Sequence, residues 1–290
     1  MENPSHLAYR STYESIVQKV EDSDVAHTFV DSNEKDSIEK RGVHLEVISN
    51  QLLSSESDAI LFYLGFAAIA ILAIYISPKS SLGVVVTALV VSWYIGILTV
   101  AILRNHKEWL GLLRFLFILC ICFIFPDGFL ATGLKTIHFP DYGVGKIYPV
   151  SIFMPFMWAI PLFLSTLVGQ GFHLRQTNGE FPSALIAGVF GLFIFAASEE
   201  ILTRIPLWTA QNCKAIGNVA MYVLFPEFCL PIVTFLVWDY LLKRKSELQP
   251  ISLGCEILAA FFIMCSYLGN LVACYMVFDG DILFSTSHIE

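Results

Sequence analysis

The chain has 290 residues, a formal net charge of −8, 56% hydrophobic residues and only 14% charged ones, and its mean hydropathy is +0.68. A soluble domain carries about 25% charged residues, so this composition excludes an ordinary water-soluble domain, and the absence of a basic surplus excludes a nucleic-acid partner. The charge is uneven: residues 1–57 hold eleven acidic and five basic side chains, and the rest of the chain is close to neutral.

Residues 1–57 read as an acidic, mostly disordered tail, poor in aromatics and rich in Ser, Asp and Glu. No short apolar core follows a basic start, so the first membrane helix is expected to act as an uncleaved anchor. Within the tail, "GVHLEVISNQLL" spaces Val43, Leu45, Val47, Leu52 and Leu53 in a way that fits either a short helix on the membrane surface or a flexible linker.

Seven segments then match the roughly 20 apolar residues needed to cross hydrocarbon: Ala59–Ile76, Leu82–Leu103, Trp109–Phe125, Val150–Phe172, Ala184–Ile205, Ala215–Trp238 and Ser252–Phe278. The breaks between them, such as "SPKSS", "RNHKE", "PDGFLATGLKTIHFPDYGVGK" and "KRKSELQP", are turn and loop chemistry. The predicted fold is all-α: a polytopic bundle of about seven transmembrane helices over residues 58–278, followed by a short tail, 279–290. Lys and Arg near the helix ends set orientation. Lys40, Arg41, Arg104, Lys107, Arg114, Arg175, Lys243, Arg244 and Lys245 fall on the N-terminal side, against Lys79, Lys135, Lys146, Arg204 and Lys214 on the other. The N-terminus is therefore expected in the cytosol, and an uncleaved anchor with reduced cysteines suits the endoplasmic reticulum.

Six of the seven cysteines fall inside predicted helices and read as apolar packing residues. The seven histidines form no ligand-spaced pair with each other or with cysteine, so neither a metal nor another cofactor is implied. No repeat is evident by eye.

Ionisable residues inside membrane helices mark candidate sites. Glu227, in "YVLFPEFCLPIVTFLVW", lies twelve residues past Ala215, about 18 Å along a helix, between Pro226 and Pro231. No cation at similar depth is available to neutralise it, so this carboxyl is expected to keep its proton. In "FAASEEILTRIPLW", Glu200 and Arg204 are four apart and can pair, either as a structural interfacial pair or as part of a site. Glu199 points about 100° away and is expected to reach water. Tyr267 and Asn270 share a face of the last helix; Trp158, between Pro155 and Pro161, and Trp208 complete the candidates for lining a cavity.

"EEILTR" also matches the EExxxR motif of the CPBP membrane-protease group, but that family needs downstream helical histidines, and the sole His after Arg204 is His288. In length, helix number, aromatic richness and intramembrane carboxylates the chain instead resembles the small seven-helix integral-membrane terpene cyclases of fungal meroterpenoid pathways. That resemblance implies metal-independent acid–base cyclisation of a prenylated, lipid-soluble substrate, often an epoxide. The residues are compatible with it independently: no aspartate-rich cluster is present to ionise a diphosphate, whereas Glu227 can serve as acid, Glu200 oriented by Arg204 as second carboxylate, and Trp158, Trp208, Tyr267 and Asn270 as lining. The expected partners are an isoprenoid-type small molecule and membrane lipids. A proton-coupled small-molecule transporter and a non-catalytic membrane scaffold are the alternatives.

Overall fold

The apolar stretches of the sequence become seven helices long and apolar enough to cross a membrane: Ser55–Ile76, Lys79–Leu103, Lys107–Leu134, Met154–His173, Glu180–Ile201, Met221–Arg244 and Leu253–Asp281, the first to seventh spans. The computed structural model describes residues 55–175, 180–202, 207–247 and 252–286. The predicted helix or linker at residues 42–53 and most of the acidic tail lie outside the described residues. In the third and sixth spans half of the central window is buried inside the protein, against 6% for the first, so the first span is peripheral and the later ones enclose the core.

Several boundaries differ from the sequence prediction; the fourth span, expected from Val150, begins at Met154 because Val150–Ser151 form a strand, and the fifth begins at Glu180 rather than Ala184. "PDGFLATGL" continues the third helix through Pro126 to Phe129 and then into a π-helical turn, Leu130–Leu134. The turn closes at Lys135 in the left-handed region, φ 55°, with the Thr136 N–H donating to the Leu130 carbonyl at 2.9 Å. The sixth helix starts at Met221 rather than Ala215, because residues 215–220 form a hairpin. Glu227 is thus six residues into its helix, about 9 Å from its start rather than 18 Å. The last helix runs past Phe278 to Thr286, and buried Asp279 accepts the Lys214 backbone N–H at 2.7 Å.

The loops at one end carry six two-residue strands: β1 (Ile137–His138), β2 (Lys146–Ile147), β3 (Val150–Ser151), β4 (Thr209–Ala210), β5 (Ala215–Ile216) and β6 (Val219–Ala220). β2 and β3 pair across Tyr148-Pro149, and β5 and β6 across Gly217-Asn218. Both two-residue turns begin in the left-handed region, φ 59° at Tyr148 and 63° at Gly217, the geometry that fits a tight hairpin. β1 pairs with β4, Ile137 to Ala210 and His138 to Thr209.

This pattern is a duplication. The third and fourth spans with β1–β3 repeat as the fifth and sixth spans with β4–β6. β1 maps onto β4 at an offset of 72 residues (Ile137 to Thr209), and β2 and β3 onto β5 and β6 at 69 (Lys146 to Ala215, Val150 to Val219). Under the 72-residue shift the β1–β4 pairing maps onto itself, the self-complementarity that two-fold related units require. Both β3 and β6 lead into helices carrying two prolines, Pro155 and Pro161 in the first copy and Pro226 and Pro231 in the second. The fourth span breaks at Trp158, between Met154–Met157 and Ala159–Arg175. The hydroxyls of Tyr63 and Tyr94 donate to the Ile160 and Phe156 carbonyls beside the break, at 2.8 and 3.3 Å.

Small residues bring the helices of the second copy together, as they do in membrane bundles. A Cβ at Gly191 would lie 2.3 Å from the Pro231 ring, and one at Gly188 would lie 2.5 Å from Ile232. At the opposite end from the strands, Asp58 accepts both Arg104 guanidinium N–H groups, at 2.8 and 3.1 Å, and contacts His106 Nε2 at 2.8 Å. This clasp ties the first span to the turn between the second and third. Nearby, Arg114 pairs with buried Glu256, joining the third span to the seventh.

Gly191→Leu is expected to destabilise the protein by roughly 1–3 kcal/mol, the cost of overpacking a filled interface. Thermal unfolding of the purified protein in detergent checks this, with Gly269→Leu, where no neighbour lies within 4 Å of a Cβ, as the neutral comparison.

Candidate functional site

The third to seventh spans converge on a set of polar side chains held among aromatic rings. Glu227 of the sixth span is 3% exposed, and its Oε2 has no hydrogen-bond partner. Its near electrostatic neighbour is Glu199 of the fifth span, the residue expected to reach water. In the fold that face of the fifth helix turns toward β6, and Glu199 Oε2 accepts the Ala220 N–H at 3.3 Å. Among the described residues neither carboxylate makes an ion pair. Asp127 of the third span is 2% exposed and accepts the Trp158 indole N–H at 3.3 Å.

Tyr267 of the seventh span packs against Phe123 and Trp158. It is buried and within electrostatic reach of Glu227, Asp127, Tyr222 and Glu199. The Trp158 ring stacks on Phe123 at 5.1 Å, meets Phe195 at 5.2 Å and lies edge-on to Tyr267 at 5.5 Å. Phe123 and Tyr267 are themselves edge to face at 5.3 Å. Such pairs add about 0.5–1.5 kcal/mol each beyond burial, so the aromatic wall holds its shape. Tyr222 closes the strand end, donating to Thr136 Oγ1 at 2.8 Å.

Of the residues named from the sequence the structure brings Glu227, Trp158 and Tyr267 into one region, and it adds Glu199 and Asp127. Glu200 serves the β5–β6 turn: its Oε2 accepts the Asn218 N–H at 3.0 Å and its Oε1 the Asn218 side-chain amide at 3.2 Å. Arg204 lies outside the described residues, so its predicted pairing with Glu200 does too. Trp208 packs in a second apolar cluster beneath the strands, with Leu207, Phe139 and Phe153, apart from the Trp158 cluster. Asn270 is half-buried on the seventh span. Asp127 was hidden in sequence by "FPDG", which reads as a loop. Its signal was the offset of 72 that carries Asp127 onto Glu199. Among the described residues no three His, Cys, Asp or Glu side chains are placed to hold one metal ion.

These features define a class: a mostly helical chain with seven helices suited to a membrane, and an aromatic-walled cluster of three carboxyl groups near one end of its core. The family defined by a domain of unknown function (DUF6989) matches residues 124–278, more than half of the chain, and the chain belongs to that family. The matched region contains Asp127, Trp158, Glu199, Glu227 and Tyr267. No curated protein and no solved structure matches the chain.

Trp158→Phe keeps an aromatic face but removes the N–H from buried Asp127. A loss of about 1–3 kcal/mol is expected, the cost of an unsatisfied buried polar group, to be read from thermal or denaturant unfolding in detergent.

Proposed function

We propose that the chain is a multi-pass membrane enzyme that cyclises a prenylated, lipid-soluble substrate by proton transfer from Glu227, in the manner of the metal-independent terpene cyclases it resembles. The observation that carries this reading is the unpartnered Oε2 of Glu227, buried beside Glu199 in a core walled by Trp158, Phe123 and Tyr267. Two carboxyl groups within electrostatic reach of each other, with no ion pair among the described residues, are suited to exchanging a proton with a substrate.

In this mechanism the Glu227 carboxylic acid donates its proton to an alkene or epoxide oxygen of the substrate. The C–O or C=C electrons leave a carbocation that successive double bonds capture as rings close. The faces of Trp158, Tyr267 and Phe123 stabilise the passing positive charge. A carboxylate, Glu199 or Asp127, removes the last proton, so one proton enters, one leaves, and the product is an isomer of the substrate. Glu200 holds the β5–β6 turn in place over the site.

Membranes containing the protein, supplied with a farnesylated phenol bearing a terminal epoxide, are expected to yield a cyclic product of unchanged mass. Glu227→Gln is expected to lower its rate at least about 100-fold, the scale of general-acid catalysis, at normal protein levels. Turnover that persists in that variant overturns the reading.

The duplicated units with proline-interrupted helices favour a second reading, a proton-coupled carrier, because internal repeats around a central site are common in transporters. A carrier would show pH-gradient-driven uptake into vesicles that Glu227→Gln abolishes, without any change to the solute. We place the N-terminus in the cytosol and the protein in the endoplasmic reticulum. A tag before residue 55 is expected to be digested by protease added to sealed microsomes, and a tag after Glu290 to be protected.

A further inference from the structure

The two halves of the duplication treat one pair of positions differently. Asp127 of the third span and Trp158 of the fourth have Glu199 and Glu227 as their counterparts, at the 72- and 69-residue offsets of the adjoining strands. In the first half the pair closes on itself, the Trp158 indole N–H donating to Asp127 Oδ2 at 3.3 Å. In the second half it does not. Glu199 and Glu227 are within electrostatic reach of each other, yet Glu199 Oε2 accepts from the Ala220 N–H. Glu227, 3% exposed, has an Oε2 without a partner.

The first half also shows the direction in which these positions work: the fourth span presents a donor and the third an acceptor. An indole N–H can only donate and a carboxylate can only accept, whereas a carboxyl group does either according to whether it holds a proton. Standing where the indole stands, Glu227 is the member of its pair that carries the proton. Glu199, standing where Asp127 stands, is the acceptor. Asp127 is already engaged by Trp158, while Glu199 gives Ala220 only one of its two oxygens.

We propose that Glu227 and Glu199 seat one oxygen atom of the ligand, an epoxide or alcohol oxygen that accepts from Glu227 and, once it bears a proton, donates to Glu199. The inference rests on the cyclase reading and deepens it, narrowing the substrate to chains that carry an oxygen at the reacting carbon. A bare alkene offers neither carboxyl group a hydrogen bond of ordinary strength. In the step itself the Glu227 O–H bond breaks as an O–H bond forms on the epoxide oxygen. The C–O bond breaks with its electron pair staying on oxygen, and the new hydroxyl turns its proton to Glu199. The carbocation left on carbon is captured by the next double bond.

The test uses the full-length protein in detergent and three farnesylated phenols that differ at the terminal group: an epoxide for turnover, and a vicinal diol and an alkene for binding. Affinity is read from ligand-dependent thermal stabilisation. The diol both accepts and donates, and it is expected to bind at least about tenfold tighter than the alkene, the scale of one matched buried polar group. Glu227→Gln, whose amide still donates, is expected to keep that preference while losing turnover of the epoxide. Glu199→Leu is expected to lose the preference. Glu227→Trp copies the first half, its indole N–H taking Glu199, and is expected to lose the preference too; it serves where Glu199→Leu expresses poorly. Equal affinity for diol and alkene, no stabilisation by either, or a preference that survives in Glu199→Leu or Glu227→Trp overturns the seat; epoxide turnover that Glu227→Gln abolishes then still upholds the acid. A diol preference that depends on Glu199, in a protein that leaves the epoxide unchanged, upholds the seat and removes the cyclase reading.

Discussion

A carboxyl group enclosed by apolar and aromatic side chains, with no ion pair among the described residues, is the constraint around which this fold is arranged. The structure encloses Glu227 between its own helix and four others, without an ion pair among the described residues. The fifth span brings Glu199 and the seventh brings Tyr267, while the third and fourth add the Asp127–Trp158 hydrogen bond. The first two spans stay outside this ring, held by the Asp58 clasp to Arg104 and His106. The family match, which begins at residue 124, leaves out those two spans and keeps every member of the ring.

The same constraint explains where the helices depart from regularity. Proline removes a backbone donor and frees a carbonyl within its helix, which is tolerable at membrane depth only where something else satisfies it. Beside the break at Trp158 two tyrosine hydroxyls add hydrogen bonds to the Ile160 and Phe156 carbonyls. The strands at one end hold the ends of four spans at fixed separations. With the helices thus positioned, Gly188 and Gly191 let the fifth span close onto Pro231 and Ile232, which sets how near Glu199 comes to Glu227.

Much of this was legible in the sequence because hydropathy reports directly on helices of this kind. All seven apolar helices were found, and Glu227, Trp158 and Tyr267, named from the sequence, lie on spans that pack together. Asp127 escaped because Pro, Asp and Gly in succession read as a loop, whereas packing carries the third helix through them to a π-helical turn. Glu199 escaped for a different reason. A helical wheel relates residues on one helix only, and it gave Glu200 the partner four positions on; β6 and the sixth span, which face Glu199, are brought there by the tertiary fold. The repeat was obscured because its copies share hairpin geometry while most of their residues differ, and their prolines do not coincide at the 69-residue offset.

The self-mating of β1 with β4 has a consequence for the two halves. A segment of two helices and three short strands pairs with its own counterpart, and carrying both halves in one chain lets each hold different side chains. At equivalent places the first half now bears the indole of Trp158 and the second the carboxyl of Glu227. Two identical halves would have to put the same group at both; in a single chain the two places are free to carry an indole and a carboxyl group.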